Sequence, residues 1–176
     1  LKLSQLALED NTSKQILAPA YRSTGKSTAE GPNERLQADL IDYSQNTKNT
    51  KAKFALMLSD VYTREVRAVP LTNKNPGTIN DAMRQVIPTL VQDKTNFALT
   101  TDAGKEFSKL DEGGIPTEAV HRDKKGTNDI SVLDRAMQTV KQDSAAAVAD
   151  GDARNWVDAL PMAIDAHNKR PHSAVY

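Results

Sequence analysis

Three aspartates, far apart along the chain, occupy positions from which carboxylates of separate elements can meet. Asp102 follows a short apolar run in the segment "LTTDAGKEF", where a glycine then turns the chain. Asp39 lies within "LQADLIDY", and Asp134 lies within "LDRAMQTVK". Hard divalent cations need several oxygen ligands, and metal-assisted phosphoryl transfer draws such carboxylates from separate elements. The three acids therefore indicate metal-dependent chemistry on phosphate esters.

The alternation of side chains along a strand distinguishes between the two acids of "LQADLIDY". Asp39 and Asp42 lie in the same predicted strand and are separated by an odd number of positions. Because successive side chains of a strand point to opposite faces, these two carboxylates lie on opposite sides of the sheet. Only one of them can face a shared site, and we assign that position to Asp39.

The third acid is expected on a helix that follows a polar, glycine-containing loop. At about 100° per residue, Asp134, Gln138 and Lys141 share one arc of this helix. The arc lies beside an apolar stripe formed by Ile130, Leu133, Met137 and Val140. Asp134 is then at the seam between core and solvent, and Lys141 is placed further along to meet a phosphate. Asp129 is better placed to cap the helix, and Asp129 and Glu118 are the alternatives to Asp134.

The elements predicted around these residues form one mixed α/β domain. Residues 1–33 have no sustained period and are predicted to be an irregular leader or linker, so the domain spans residues 34–176. The predicted strands are "RLQADLIDYS", two within "KFALMLSDVYTREVRAVPL", then "NFALTT" and a short "PTEAVHR". The predicted helices are "NPGTINDAMRQVIPTLVQD", residues 129–148, and "GDARNWVDALPMAIDAHNK". Pro88 is expected to kink or end the first helix, and the last is expected to be capped by Asp152 and bent near Pro161.

Composition limits the classes of site and partner. The 176 residues contain no cysteine, which excludes disulfides, thiolate zinc sites and cysteine nucleophiles and fits a reducing, intracellular compartment. No apolar run approaches the roughly 18 residues needed to cross a bilayer, so no membrane partner is expected. Basic and acidic residues number 23 each, so the formal charge is zero. Because nucleic-acid binders are usually basic, binding to DNA requires clustered positive charge or additional domains.

Five segments, in order, resemble motifs of one enzyme family. "LQAD" resembles Trp-Gln-x-Asp, with Leu36 where tryptophan is common. "DVYTREVRAVPL" resembles an Asp-x-Phe-Ser-Arg turn whose aspartate, here Asp60, is usually structural. "TDAGKEF" resembles Thr/Ser-Asp-x-Gly-x-Glu-Phe, and "LDRAMQTVK" resembles Val-Glu-Arg-x-Asn-x-x-Leu-Lys. "WVDALPMAIDAHNKRPHSA" is similar to a last core helix that carries Trp, Asn and a nearby His, here Trp156, Asn168 and His172.

From about Arg35 to Pro171, these motifs resemble the catalytic core of retroviral and retrotransposon integrases, a ribonuclease-H-like domain of the DDE transposase superfamily. The resemblance implies a mixed five-stranded sheet flanked by helices. It also implies that Asp39, Asp102 and Asp134 are the catalytic and metal-binding acids. Two Mg²⁺ or Mn²⁺ ions are expected, one held by Asp39 and Asp102 and the other by Asp39 and Asp134.

The resemblance further implies a reaction and its partners. Members of the family are polynucleotidyl transferases that trim the 3′ ends of an element and join them to target DNA. The expected partners are therefore element ends, target DNA and further copies of the chain in a homodimer or higher multimer. Contacts with DNA are expected at Lys141, Gln138, Lys124 and Lys125, with Gly126 bending the loop. The expected location is the nucleus or a nucleoprotein integration complex.

Two positions depart from the family pattern. The third acid is usually glutamate, whereas Asp134 is one methylene shorter, and Met137 stands where asparagine is usual. The shorter side chain leaves open a catalytically impaired or domesticated module that binds nucleic acid. A ribonuclease-H-type nuclease, which uses similar acids, usually four, is the other alternative. The histidines do not have a metal-binding spacing. A surface role is expected for His121, and a position facing the site is the alternative.

Overall fold

A computed structural model describes residues 28–126 and 130–172 of the chain. Nearly all of the predicted leader, residues 1–33, lies outside the described residues, as does Asp129. The described elements, in chain order, are β1 (Arg35–Asp42), β2 (Phe54–Asp60), β3 (Val66–Leu71), α1 (Pro76–Leu90), β4 (Ala98–Thr101), β5 (Val120–Asp123), α2 (Ser131–Ala149) and α3 (Trp156–Lys169). Two short 3₁₀ turns, Lys105–Phe107 and Leu110–Glu112, lie between β4 and β5.

The strands form a five-stranded sheet in the order β3-β2-β1-β4-β5. The first three strands form an antiparallel meander, whereas β4 pairs with β1, and β5 with β4, in parallel. The mixed five-stranded sheet predicted from the sequence is therefore confirmed. Edge strand β3 contains the exposed residue Pro70, which an edge tolerates because the missing N–H can face solvent.

The central strand β1 has a long ladder on one side and a short one on the other. It pairs with β2 along its whole length, from Leu36 opposite Asp60 to Asp42 opposite Phe54. Its parallel ladder with β4 ends where Gln37 lies opposite Thr100. Beyond that pair the carboxyl ends of the two parallel strands separate, which is the place where open α/β sheets form binding crevices.

The two faces of the sheet are covered by different helices, as the alternating strand pattern requires. Leu36, Ala38, Leu56 and Leu58 face α1, with Ile79, Met83 and Val86 among their helical partners. Ile41, Tyr43, Ala55 and Met57 face α2 and α3, with Leu133, Val140 and Trp156 among theirs. Among the described residues, no helix has the length and apolar character to span a bilayer.

The cap of the last helix differs from the sequence-based expectation, whereas the two prolines lie inside their helices. Pro88 lies inside α1 and Pro161 inside α3, and both helices continue past the proline. The predicted Asp152 cap is wrong: α3 is capped by Asn155, whose side chain accepts a hydrogen bond from the Asp158 amide at 2.9 Å. Asp152 instead donates its amide to Ala147 O at 2.9 Å, in the turn that ends α2.

Residues of the last helix and its C-terminal flank act as structural clamps. The ring of Trp156 stacks on Tyr43, with centroids 4.1 Å apart. Asn168 bonds to both backbone groups of Val66, accepting from the amide at 2.9 Å and donating to the carbonyl at 3.0 Å. His172 lies against His167, at 4.8 Å between ring centroids. The Trp, Asn and His singled out in the sequence therefore hold α3 and the segment after it in place against the rest of the domain.

The turn between β2 and β3 is organised by Asp60, which is fully buried. Its carboxylate accepts hydrogen bonds from the amides of Asn33, Tyr62 and Thr63, at 3.2, 3.2 and 3.3 Å. The hydroxyl of Thr63 also donates to it, at 2.7 Å. Arg64 follows in the left-handed region, with φ of 66°. The structural role expected for Asp60 is confirmed.

Replacing Asp60 with alanine is expected to lower the free energy of unfolding by roughly 2–4 kcal/mol, because several donors lose their acceptor inside the fold. Urea denaturation followed by circular dichroism measures the change. Asp81→Ala is the matched control, since that carboxylate is 65% exposed and its loss is expected to cost no more than about 0.5 kcal/mol. A cost for Asp60→Ala as small as that of the control would contradict the role of Asp60.

Candidate active site

Two of the three predicted acids lie side by side where β1 and β4 separate. Asp39 shares its face of β1 with Ile41, which packs under α2 and α3. Asp102 directly follows β4, and the parallel register places it on the same face and next to Asp39. Each carboxylate accepts one backbone hydrogen bond, Asp39 from the Leu40 amide at 2.8 Å and Asp102 from the Gly104 amide at 3.2 Å.

The third acid is brought to this face by the first turn of α2. Asp134 is half-buried and lies in that turn. The preceding amide, that of Leu133, donates to Oε1 of Gln37 at 3.0 Å. Gln37 lies two positions before Asp39 on β1, so both side chains project from the same face of the strand. One buried hydrogen bond therefore ties the start of α2 to the strand that carries Asp39.

The pKa of Asp39 is affected by the other acids. The pKa of its carboxyl is raised to about 6. Burial is the largest cause, and the negative charges of Asp102, Asp134 and Glu106 add to it, while the hydrogen bond from the Leu40 amide opposes it. The structure thus gathers Asp102 from the end of β4, Asp134 from a helix and Glu106 from a turn around the half-buried carboxyl group of Asp39.

Glu106 was not assigned a role from the sequence. Its side chain folds back over Gly104, so closely that a Cβ atom built there would lie 2.6 Å from the carboxyl carbon. Within residues 28–126 and 130–172, no hydrogen bond or ion pair to this half-buried carboxylate is found. The signal was present in "TDAGKEF", where Gly104 leaves room that any other residue would fill.

The acids have the chemistry of a site for hard cations, but they are not drawn together to ligand distance. Among the described residues, no group of three or more His, Asp or Glu side chains lies close enough to hold a metal ion. Like charges repel, and Asp39 and Asp102 each direct an oxygen to a backbone amide instead. An all-oxygen donor set suits Mg²⁺ or Mn²⁺, and a bound cation would offset the repulsion that raises the pKa of Asp39.

Asp42, the rival acid on β1, lies outside the cluster. It is exposed, and its carboxylate accepts a hydrogen bond from the Ser44 amide at 2.8 Å. Side-chain and backbone hydrogen bonds from Ser44 lower the pKa of Asp42, with smaller contributions from the charges of Lys74 and Lys141. The prediction that Asp39 and Asp42 face opposite sides of the sheet is confirmed by their neighbours.

The residues predicted to contact DNA lie at two places. Gln138 and Lys141 are exposed on α2, beyond the turn that carries Asp134. Lys124 and Lys125 follow β5, and the Lys124 amide donates to Thr101 O at 2.6 Å, which starts this loop beside Asp102. Lys124 is thus bonded next to Asp102, and Gln138 lies about one helical turn beyond Asp134, whereas the charge of Lys141 acts on Asp42.

The two remaining candidates, Glu118 and His121, lie in different environments. Glu118 is exposed in the turn before β5, at the opposite end of that strand from the Lys124 loop. The surface role expected for His121 is wrong: its side chain is 12% exposed, and its Nε2 lies 2.7 Å from the hydroxyl of Thr101. The sequence missed this contact because it depends on which strands are neighbours in the sheet.

No protein-family model and no curated protein matches this chain. Among solved structures, the catalytic core of BIV integrase is similar, with a TM-score of 0.59 and 18% identity over 80% of this chain and 87% of that one. The dimeric form of the HTLV-2 integrase core, in complex with magnesium, has a TM-score of 0.63 and 17% identity over 84% and 94%. A simian T-cell lymphotropic virus intasome in complex with a PP2A regulatory subunit has a TM-score of 0.64 and 13% identity, over 80% and 50%. The chain has the ribonuclease-H-like fold of integrase catalytic cores.

The raised pKa of Asp39 predicts that ionisation of its carboxyl group lowers the stability of the fold, by an amount that depends on pH. The carboxyl ionises near its ordinary value of 3.8 in the unfolded chain but near 6 in the fold. Between these values the folded state keeps a proton that the unfolded state has lost, so the contribution of Asp39 to stability falls as pH rises through this window. Asp39→Asn is therefore expected to raise Tm by a few degrees at pH 7.5 and to leave it unchanged below about pH 4.

Differential scanning calorimetry at the two pH values, without divalent cations, tests this expectation. Asp42→Asn is the control on the same strand: since the pKa of Asp42 is lowered, its loss is expected to reduce Tm slightly at pH 7.5. Equal Tm differences for Asp39→Asn at both pH values would argue against a raised pKa at the half-buried Asp39.

Proposed function

We propose that this chain is the catalytic core of an integrase or transposase, a metal-dependent polynucleotidyl transferase that processes 3′ ends and joins them to target DNA. The observation that carries the proposal is the placement of Asp39. Its half-buried carboxyl group lies in the field of Asp102 and Asp134, where the parallel ladder of β1 and β4 has ended, in the fold of integrase cores.

The three aspartates are the proposed catalytic and metal-binding residues. Asp39 and Asp102 would hold one ion, and Asp39 and Asp134 a second. When bound, Mg²⁺ or Mn²⁺ supplies Lewis-acid chemistry at the phosphate and lowers the pKa of an attacking water or hydroxyl. The protein's own part is to present carboxylates on one face of the sheet while helices α2 and α3 cover the face behind them. The HTLV-2 core solved with magnesium supports this choice of ion.

The aspartate at position 134 restricts where helix α2 can lie. Its side chain is one methylene shorter than the glutamate expected from the resemblance, so its backbone must lie closer to the other acids. The hydrogen bond from the Leu133 amide to Gln37 supports the proposal, because it ties the first turn of α2 to the strand that carries Asp39. Glu106 adds a longer, half-buried carboxylate to the same field.

The proposed substrate is DNA, contacted at Lys141 and Gln138 on α2 and at Lys124 and Lys125 in the loop after β5. These contacts would serve the element ends and the target. Because the chain is formally neutral, the contacts rely on local positive charge. A homodimer or higher multimer, working in the nucleus or a nucleoprotein integration complex, completes the proposal. Dimeric and trimeric forms of the HTLV-2 core and the simian virus intasome support the multimer.

Two other functions have an observation in their favour. The shorter Asp134 favours a catalytically impaired, domesticated module that binds nucleic acid. The presence of a fourth acid, Glu106, beside the three aspartates favours a ribonuclease-H-type nuclease. The clamps made by Trp156 and Asn168, which belong to the integrase-like last helix, favour the integrase over the nuclease.

Replacing Asp39, Asp102 or Asp134 with asparagine is expected to reduce strand transfer by at least about a hundredfold, because each change removes charge from the reacting centre. The assay uses oligonucleotide ends and a target duplex with Mg²⁺ or Mn²⁺, and circular dichroism confirms that the variants fold. Asp42→Asn, on the same strand but the opposite face, is expected to keep wild-type activity.

The same assay separates the alternatives. Cleavage of an RNA–DNA hybrid without strand transfer would identify the nuclease. A wild-type chain that binds DNA without forming product, together with an Asp134→Glu variant that does form it, would identify the impaired module. Full activity in Asp134→Asn would remove Asp134 from the site.

Lys141→Ala is expected to weaken DNA binding at all sequences and to lower the slope of log affinity against log salt by about 1, the amount lost with one phosphate contact. Fluorescence anisotropy at several salt concentrations measures this slope. Lys109→Ala, an exposed lysine in the loop on the α1 side of the sheet, is the control with the same charge change. Equal slopes for the two variants would exclude Lys141 from the contact.

A further inference from the structure

A part-buried polar connection lies on the reverse face of the sheet, behind Asp102. Leu99, which packs against α1, is directly opposite His121 in the parallel ladder of β4 and β5. Thr101 follows two positions later on β4, so Thr101 and His121 project from this same face. Asp102 is one position further and projects from the opposite face, with Asp39. His121 therefore lies behind the acids rather than among them.

The carbonyl oxygen of Asp102 can only accept a hydrogen bond, and this determines which atom donates in each bond of the connection. The hydroxyl of Thr101 lies 2.9 Å from the carbonyl oxygen of Asp102, which can only accept, so the hydroxyl donates. The hydroxyl oxygen then accepts from Nε2 of His121, 2.7 Å away. Nε2 must carry a proton, and the carboxylate of Asp123, at 3.9 Å, favours that arrangement. The result is a chain of bonds from His121 through Thr101 to the backbone of Asp102.

Asp102 needs this support because the strand ends before it. Strand β4 has four residues and ends at Thr101, so Asp102 is the first residue beyond the ladder. The peptide that follows Asp102 is held from the reverse face by the Thr101 hydroxyl. On the site face, the carboxylate of Asp102 is held by the Gly104 amide. The orientation of the carboxylate depends on both hydrogen bonds, because the carbonyl group and the side chain of Asp102 share one Cα atom.

We propose that His121 and Thr101 are positioning residues of the site: His121 orients the Thr101 hydroxyl, which fixes the main chain of Asp102 and hence the direction of its carboxylate. The chemical consequence rests on the proposed function, since a correctly directed Asp102 is needed to hold a divalent cation. The loop at Lys124 begins on the same strand as His121 and bonds to Thr101 O at 2.6 Å. That bond ties the start of the loop to the residue before Asp102.

Four variants of the full chain separate positioning from simple support of the fold. Thr101→Val and His121→Leu remove the connection, whereas Thr101→Ser keeps the hydroxyl and His121→Gln keeps a donor near the Nε2 position. Thr89→Val is the matched control, because it removes a hydroxyl that donates to a helix carbonyl, that of Val86, at 2.6 Å. The measurements are the Mg²⁺ concentration that gives half the metal-induced rise in Tm, and the metal dependence of strand transfer.

Thr101→Val and His121→Leu are expected to raise the half-saturating Mg²⁺ concentration by about tenfold, as loss of groups that orient a ligand does elsewhere. Thr101→Ser and His121→Gln are expected to stay within about twofold of wild type, and Thr89→Val to be unchanged. A wild-type Mg²⁺ requirement in Thr101→Val would overturn the proposal, whatever happens to its Tm without metal.

A second measurement keeps this inference separate from the proposed function. The ¹³C chemical shift of the Asp102 carbonyl is expected to move in Thr101→Val and to return in Thr101→Ser. If wild type shows no response to Mg²⁺ and no strand transfer, the proposed function fails, yet such a carbonyl shift would still support the positioning of Asp102. An unchanged carbonyl shift in Thr101→Val would overturn the connection itself.

Discussion

The buried hydrogen bond between the Leu133 amide and Gln37 Oε1 is the contact on which the geometry of the site depends. It joins the central strand to a helix that is distant in sequence, and Gln37 is only 1% exposed, so water does not compete for the bond. The bond lies between two acids, with Asp39 two positions further along the strand and Asp134 in the next position of the helix. It acts together with the packing of the Leu133 side chain against the sheet, which holds the same turn of α2.

The clustering of acids around Asp39 lowers the stability of the fold. Burial and neighbouring acids raise the pKa of Asp39, which means that its charged form is held at a cost in free energy. The surrounding structure offsets that cost with two cores, one on each face of the sheet, and with the stacked Tyr43 and Trp156. Functional sites commonly retain such unfavourable local arrangements within an otherwise consistent fold.

The sequence allowed the elements and their order to be predicted, but not the contacts that join them. Strand alternation separated Asp39 from Asp42 correctly, because the period of a strand is a local property. The Asn155 cap and the burial of His121 could not be read in this way, since one depends on where α2 ends and the other on which strand lies beside β4. Glu106 was missed although Gly104 indicates the space that its side chain occupies, because its effect on Asp39 also depends on the path of the turn after Asp102.

The exposed proline in β3 limits how copies of this chain can associate. A strand at the rim of a sheet can template another strand only where its amides are free to donate, and Pro70 has none to offer. The opposite rim is the short strand β5, which gives little length for pairing. Among the described strands, growth of the sheet from one molecule into the next is therefore disfavoured at both edges.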